Sequence, residues 1–142
     1  MGGFFSSLLE SIAYEYDGYL GILRSLLPAL RPREIRVVGG GARSRLWTQI
    51  KADVLGIPYV RLEREDQALM GSALIAARAA GVIDSVEQAA REWVQSGGRV
   101  EADRARHRAY EPYRTVYGTV TAQLQPVFRS MASARERATL SE

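Results

Sequence analysis

The stretch from Ile35 to Gly56, IRVVGGGARSRLWTQIKADVLG, limits the fold more than any other part of the chain. Ile35, Val37 and Val38 form a short β-branched run that reads as a buried strand. Gly39, Gly40 and Gly41 follow at once; they let the backbone turn sharply and leave no side chain between it and a ligand. Ser44 is a good N-cap, Leu46, Ile50 and Val54 recur on one helical face, and Gly56 ahead of Ile57-Pro58 is a stop signal. Strand, glycine turn and helix start together offer backbone N–H groups and a positive dipole end to an anion. The spacing points to a nucleotide-type cradle, with a plain strand-to-helix connector as the alternative. A Walker P-loop is excluded, because no Gly-Lys-Ser/Thr follows the glycines. A dinucleotide fold fits poorly. The turn reads G-x-G-x-x-S, and past Glu63, where a ribose contact would fall, the sequence offers only helices.

Around this unit the chain reads as helix-rich α/β. Leu9, Ile12, Ala13, Tyr16, Leu20, Leu23 and Leu27 recur at steps of three and four, predicting a long amphipathic helix from Phe4 to Leu27, ended by Pro28. Pro58 to Leu62 predicts a second strand, with Tyr59 and Arg61 on one face and Val60 and Leu62 on the other. Asp66 is placed to cap an Ala-rich helix from Ala68 to Ala80, in which Gly71 and Ser72 allow close backbone approach; Gly81 ends it. Ser85 and Gln88 fit a capping box for a helix carrying Trp93 and Val94, closed by Gly97-Gly98. Tyr110, Tyr113 and Tyr117 lie at helical spacing, with Pro112 placing a helix start or kink among them. Leu124, Val127, Phe128 and Met131 continue an apolar face, and residues 133–142 read as a frayed tail.

Two strands do not make an independently stable sheet. Either the helices carry the fold, or the sheet is completed by something outside this chain, and the first helix then lacks part of its cover. Exposed strand edges and apolar faces make self-association the expectation, unless a missing domain covers them.

Composition removes several function classes. At 142 residues a single domain, 1–142, is expected. There are no cysteines, which excludes disulfides, zinc-thiolate sites and cysteine nucleophiles, and His107 as the one histidine argues against a Ser-His-Asp triad. No apolar run reaches the roughly eighteen residues of a membrane span. MGGFFSSLLE lacks a basic n-region and meets Glu10 early, so cytoplasm is the default. The +3 net charge is almost all arginine. Arg99, Arg104, Arg106 and Arg108 are interleaved with Glu101, Asp103 and Glu111, which favours a solvated surface over a nucleic-acid stripe. Asp53, Glu65 and Asp66 are assigned structural rather than acid/base or metal roles. Trp47 and Trp93 are assigned to the core, the tyrosines to a packing face, and His107 to an exposed position without a partner.

At VVGGGARSRLWTQIKADVLGIPY the chain resembles the C-terminal domain of the FGGY carbohydrate kinases, most closely xylulokinase-like members. LLESIAYEY at Leu8 to Tyr16 is similar to the helix before that domain's glycine turn. EDQALMGSALIAARAAG at Glu65 to Gly81 is similar to its later Ala/Gly-rich helix, and the tyrosines to Tyr117, then Leu124 and Pro126-Val-Phe128, to its closing helix. The resemblance implies part of an actin, Hsp70 and hexokinase type (ribonuclease H-like) ATPase fold with an incomplete sheet. It implies transfer of the ATP γ-phosphoryl group to a sugar hydroxyl. By position, Gly40, Gly41 and Ala42 would lie against the α-phosphate and adenosine, with Gly39 in the same cofactor-binding set and Ser44 and Arg45 at the helix start beside the adenine. Arg45 departs from the commoner small or polar residues there, and could stack on the base or point to solvent.

The same resemblance implies that the catalytic aspartate, the Mg²⁺ ligands and the sugar pocket belong to segments upstream of those present here. Phosphoryl transfer depends on positioning and on charge neutralisation around the γ-phosphate, so this chain would supply one wall of the site and no catalytic or metal-ligating residue. ATP and a sugar are then the expected partners, with Mg²⁺ expected only in a full-length enzyme and the isolated chain expected to be inactive. The competing expectation is a non-catalytic helical interaction module.

Overall fold

The computed structural model of the chain describes residues 2–63 and 66–139. The elements run α1 (Gly2–Leu26), β1 (Ile35–Val37), a 3-10 turn (Gly40–Arg43), α2 (Arg45–Leu55), β2 (Tyr59–Leu62), α3 (Gln67–Ala79), α4 (Val86–Trp93), β3 (Ser96–Val100) and α5 (Arg104–Thr139). The sheet order is β1-β2-β3. β1 and β2 are parallel, with Ile35 opposite Tyr59 and Val37 opposite Arg61, so α2 is the crossover helix that a parallel pair requires.

The third strand corrects the sequence reading. Gly97 and Gly98 do not close α4, which ends at Trp93; they lie inside β3, antiparallel to β2. Val60 pairs with Arg99 and Leu62 with Ser96, so Gly97 and Gly98 together oppose Arg61 in a β-bulge. A Cβ on Gly97 would stand 3.3 Å from the Arg61 carbonyl oxygen, so the glycine allows the close approach. The Gly-Gly pair reads as a helix stop in sequence because the bulge that uses it is a tertiary feature.

The core lies between α1, α2 and the first turns of α5. Ala13, Leu20, Ile50, Val54, Leu55 and Ile57 are buried together, with Leu9, Tyr14, Ile35, Trp47 and Tyr110 packed at the margin. On α2 the expected face is only partly buried: Ile50 and Val54 are in the core, but Leu46 in the first turn is exposed. On β2, Tyr59 and Val60 are both buried while Arg61 is exposed, and Tyr59 lies beneath Lys51 of α2.

Much of α1 is uncovered, as the strand shortage implied. Ile12, Tyr16, Leu23 and Leu27 belong to the expected apolar face yet are exposed, with Phe4, Leu8, Tyr19 and Leu26 beside them. Likewise Trp93, assigned to the core, is exposed, and so are Leu124, Val127, Phe128 and Met131 on α5. On α3 only Leu74 is buried, and a Cβ on Gly71 would meet open space, so no close backbone approach uses the small residues there.

Helix ends follow the capping chemistry. The Ser44 side chain accepts from Trp47 N, Ser85 accepts from Gln88 N, and Gly56 (φ 67°) terminates α2 in the left-handed region. Asp66 stands at the cap position of α3, but its side chain makes no cap hydrogen bond there. α5 starts well before Pro112 and continues through Pro126 to Thr139, so neither proline marks its start, and it carries on through the stretch read as a frayed tail; residues 140–142 lie outside the described residues.

Tyrosines join α1 to α5. Tyr14 meets Tyr110 edge-on at 6.1 Å and Tyr117 at 5.5 Å, Tyr110 Oη donates to Glu10, and Tyr117 Oη donates to Glu15. Tyr113 points outward. Burial pushes the Tyr14, Tyr59 and Tyr110 hydroxyls up to about 12. A folded-state pKa above the unfolded value of about 10 gives stability that is complete below pH 10 and lost as pH rises through 12. Urea unfolding between pH 8 and 12 is therefore expected to show falling stability above pH 10, with a shallower fall in Tyr59→Phe. A flat profile across that window would contradict this packing.

Candidate functional site

The glycine turn is built by β1 and α2. Gly39 adopts φ 81°, ψ −178°, a conformation open essentially to glycine alone, and its carbonyl accepts from Ala42 N at 3.0 Å to close the 3-10 turn. Gly40 has ordinary φ, and a Cβ there would meet nothing within 4 Å, so its backbone faces open space. A Cβ on Gly41 would stand 3.6 Å from the Trp47 indole nitrogen, so this glycine packs against the first turn of α2. The three glycines thus do three jobs: conformation at Gly39, access at Gly40 and packing at Gly41.

Ser44 is committed to structure. Its Oγ accepts from Trp47 N, and its carbonyl accepts from Thr48 N at 3.0 Å and from the Thr48 hydroxyl at 2.9 Å. Arg45 is exposed at the first position of α2. Gly39, Gly40, Gly41, Ala42, Ser44 and Arg45 therefore form one continuous rim, with Gly40 open and Ser44 already bonded. Beneath it, Lys51 is buried with its ammonium 4.6 Å from the Trp47 ring centre and 5.3 Å from that of Tyr59. Desolvation lowers its pKa from the ordinary lysine value. Trp47 is half-buried, holding Gly41 on one side and Lys51 on the other.

The carboxylates assigned to structure divide. Asp53 is buried, and its Oδ1 accepts from Asp103 N and from Gln49 Nε2, both at 2.8 Å. Its Oδ2 lies 2.7 Å from Arg106 Nε. Asp103 in turn accepts from Ala105 N and Arg106 N at the start of α5, and those two bonds hold its carboxyl below the usual range. Asp53 thus clamps α2 to the beginning of α5. Glu65 lies outside the described residues.

His107 corrects the sequence reading. It is half-buried against Gly56, with Nδ1 2.9 Å from the Asp53 carbonyl oxygen and 3.1 Å from that of Val54. Carbonyl oxygens only accept, so Nδ1 carries the proton and donates. The arginines around it also differ from a purely solvated surface: Arg106 pairs with buried Asp53, and Arg99 bridges Glu34 and Glu101. Position 107 offered no sign of this, because its partners are backbone groups more than fifty residues earlier.

Comparison with known proteins decides the family. The model for the C-terminal domain of the FGGY family of carbohydrate kinases matches residues 1–80, over half of the chain. The chain belongs to the FGGY carbohydrate kinase family. A xylulose kinase from Staphylococcus epidermidis is 29% identical over 120 residues, covering 84% of this chain and 24% of that protein. A glycerol kinase from Ralstonia nicotianae is 36% identical over 104 residues, covering 70% of this chain and 20% of the relative. Among solved structures, xylulose kinase from Rhodospirillum rubrum superposes with a TM-score of 0.70 at 28% identity, over 86% of this chain and 24% of that one. This FGGY chain has the ribonuclease H-like, actin-like fold of those kinases, and it spans about a quarter of the length of the curated relatives it matches. Among the described residues no helix is long and apolar enough to cross a membrane, and no group of three or more His, Asp or Glu is placed to hold a metal ion.

Proposed function

We propose that this chain is the ATP-binding part of a pentulose kinase of the xylulokinase type. Gly39, Gly40, Gly41 and Ala42 would face the nucleotide, and Ser44 and Arg45 would mark the helix start beside it. The observation that carries the reading is the open backbone at Gly40, at the junction of a parallel strand and the following helix, where an anionic ligand meets N–H groups without an intervening side chain. The residues present fit a nucleotide: Gly39 sets the bend, Gly41 braces it on Trp47, and Ser44 fixes the start of α2. ATP would supply the phosphoryl group, and this chain would bind and orient one side of it. Magnesium, bound mainly through phosphates and a few carboxylates, belongs to the complete enzyme, together with the sugar and the catalytic base.

Partners follow from what is uncovered. The apolar side of α1 and the outer edge of β1 fit either the family's N-terminal domain or a second copy of this chain. A cytoplasmic location belongs to the same reading, and the chemistry offered is that of a small-molecule kinase, with no nucleic-acid or membrane partner.

The test is thermal. A ligand that binds only the native state raises its melting temperature, by about 2.7 kcal/mol of stability at a hundredfold excess over Kd. MgATP is expected to raise the chain's melting temperature by several degrees. Gly40→Val should melt like the parent, because the added side chain meets open space, yet show no ATP shift. Equal shifts in both proteins, or none in the parent, would exclude this binding mode.

A further inference from the structure

Beside the glycine turn, a cavity of about 370 Å³ opens between the end of the 3-10 turn, the first turn of α2 and the β2–β3 pair. Ala42, Arg45 and Thr48 line one side, and Arg61, Gly98 and Arg99 the other. Arg45 and Arg61 make no ion pair among the described residues, whereas Arg99 is shared between Glu34 and Glu101. Arg43 also reaches this wall. Arg45 and Arg61 therefore leave this wall with positive charge that no carboxylate among the described residues offsets.

Three features make this a recess rather than a patch of surface charge. The bulge opposite Arg61 interrupts the β2–β3 ladder at the cavity, and bulges recur where a strand must re-aim a side chain. Gly98 and Ala42 leave the walls low, and a Cβ on Gly98 would meet open space. Thr48, buried and tied to the Ser44 carbonyl, makes a rigid floor. Guanidinium groups of like charge held around one concave space raise the local concentration of anions, and their planar forks match the oxygens of a phosphate.

We propose that this cavity is a binding site for a phosphate group, gripped by Arg45 and Arg61 with Arg99 as the third wall. Two sources share this chemistry: the nucleotide at the neighbouring turn, since Ala42 and Arg45 border both, and a separate phosphorylated small molecule. Only the first source rests on the nucleotide reading above; the affinity for phosphate itself does not.

Inorganic phosphate titrated into the 142-residue chain, followed by calorimetry and by the NMR signals of the arginine Nε–H groups, is the primary measurement. Saturable binding is expected. Arg61→Gln and Arg45→Gln should each weaken it about tenfold or more, the usual effect of losing a charge-assisted bond. Arg61→Lys, which keeps the charge without the fork, should fall between, and Arg91→Gln on α4 should bind like the parent. Both cavity arginines are exposed, so unchanged melting temperatures serve as the folding control. ADP then separates the sources. A loss of ADP affinity in Arg61→Gln parallel to that for phosphate assigns the nucleotide's own phosphate to the cavity; full ADP affinity with phosphate binding lost assigns a separate ligand. No saturable phosphate binding, or equal affinity in parent, Arg45→Gln and Arg61→Gln, overturns the proposal, and either result leaves the Gly40→Val test standing on its own.

Discussion

Asp53→Ala is expected to cost this chain about 3–5 kcal/mol, because one buried carboxylate is the acceptor for two N–H donors as well as the partner of an arginine. Against a typical total of about 5–15 kcal/mol, that is enough to leave a sizeable unfolded fraction near physiological temperature. The magnitude follows from what is stranded rather than from the pair itself. Asp53 is 2% exposed, and its loss leaves the Asp103 amide without its acceptor at the junction where α5 leaves β3. It also leaves Gln49 Nε2 with only the Glu101 carbonyl. Arg106→Ala removes a partner that is more than half exposed and leaves the buried Asp53 carboxylate its bonds from the Asp103 amide and Gln49 Nε2, so it should cost less, about 1–2 kcal/mol. Asp53→Asn keeps an acceptor for the Asp103 amide and should fall between the two. Urea denaturation of the three variants checks the order; an Asp53→Ala protein as stable as Arg106→Ala would show that the clamp is not what joins α2 to α5.

The clamp also marks how far the sequence could be read. The unit from Ile35 to Gly56 was legible because its signals are local: β-branched residues, a glycine bend, a serine cap and a left-handed stop lie within one βα step. The same holds for α1, whose period is unambiguous. β3 was not legible, since Ser96-Gly97-Gly98-Arg99 has no alternation and its glycines serve a bulge made with Arg61 on another strand. Asp53 reads as an ordinary polar residue in a last helical turn until α5 folds back over it. Trp93 failed in the opposite direction. Its helical register suits a core, but α3 and α4 pack mainly on each other, and Trp93 stays 40% exposed. The candidate site divides in the same way. The rim from Gly39 to Arg45 is contiguous in sequence, so its turn and helix start can be read there; the arginine wall joins α2, β2 and β3, and Arg61 and Arg99 become neighbours of Arg45 only through the sheet. Family resemblance carried the reading across those gaps for the turn, and carried nothing for the wall.

Gly56→Ala is expected to be the most damaging of the conservative glycine changes. Two costs add at this position. The φ of 67° places an alanine in left-handed backbone, about 1–2 kcal/mol of steric cost. The new Cβ would also stand 2.8 Å from the His107 ring, too close for real atoms. The ring cannot simply swing aside, because Nδ1 is anchored on the Asp53 and Val54 carbonyls, so the overlap must push α2 from α5 at a further cost of about 1–3 kcal/mol. A double-mutant cycle with His107→Ala separates the terms. Removing the ring relieves the overlap but not the backbone cost, so Gly56→Ala in the His107→Ala background should lose only the 1–2 kcal/mol of the left-handed alanine. If both backgrounds lose the same amount, the ring is not pressed on Gly56. If Gly56→Ala costs nothing in the parent, the left-handed end of α2, and with it the anchor that seats His107 at the start of α5, is absent in solution.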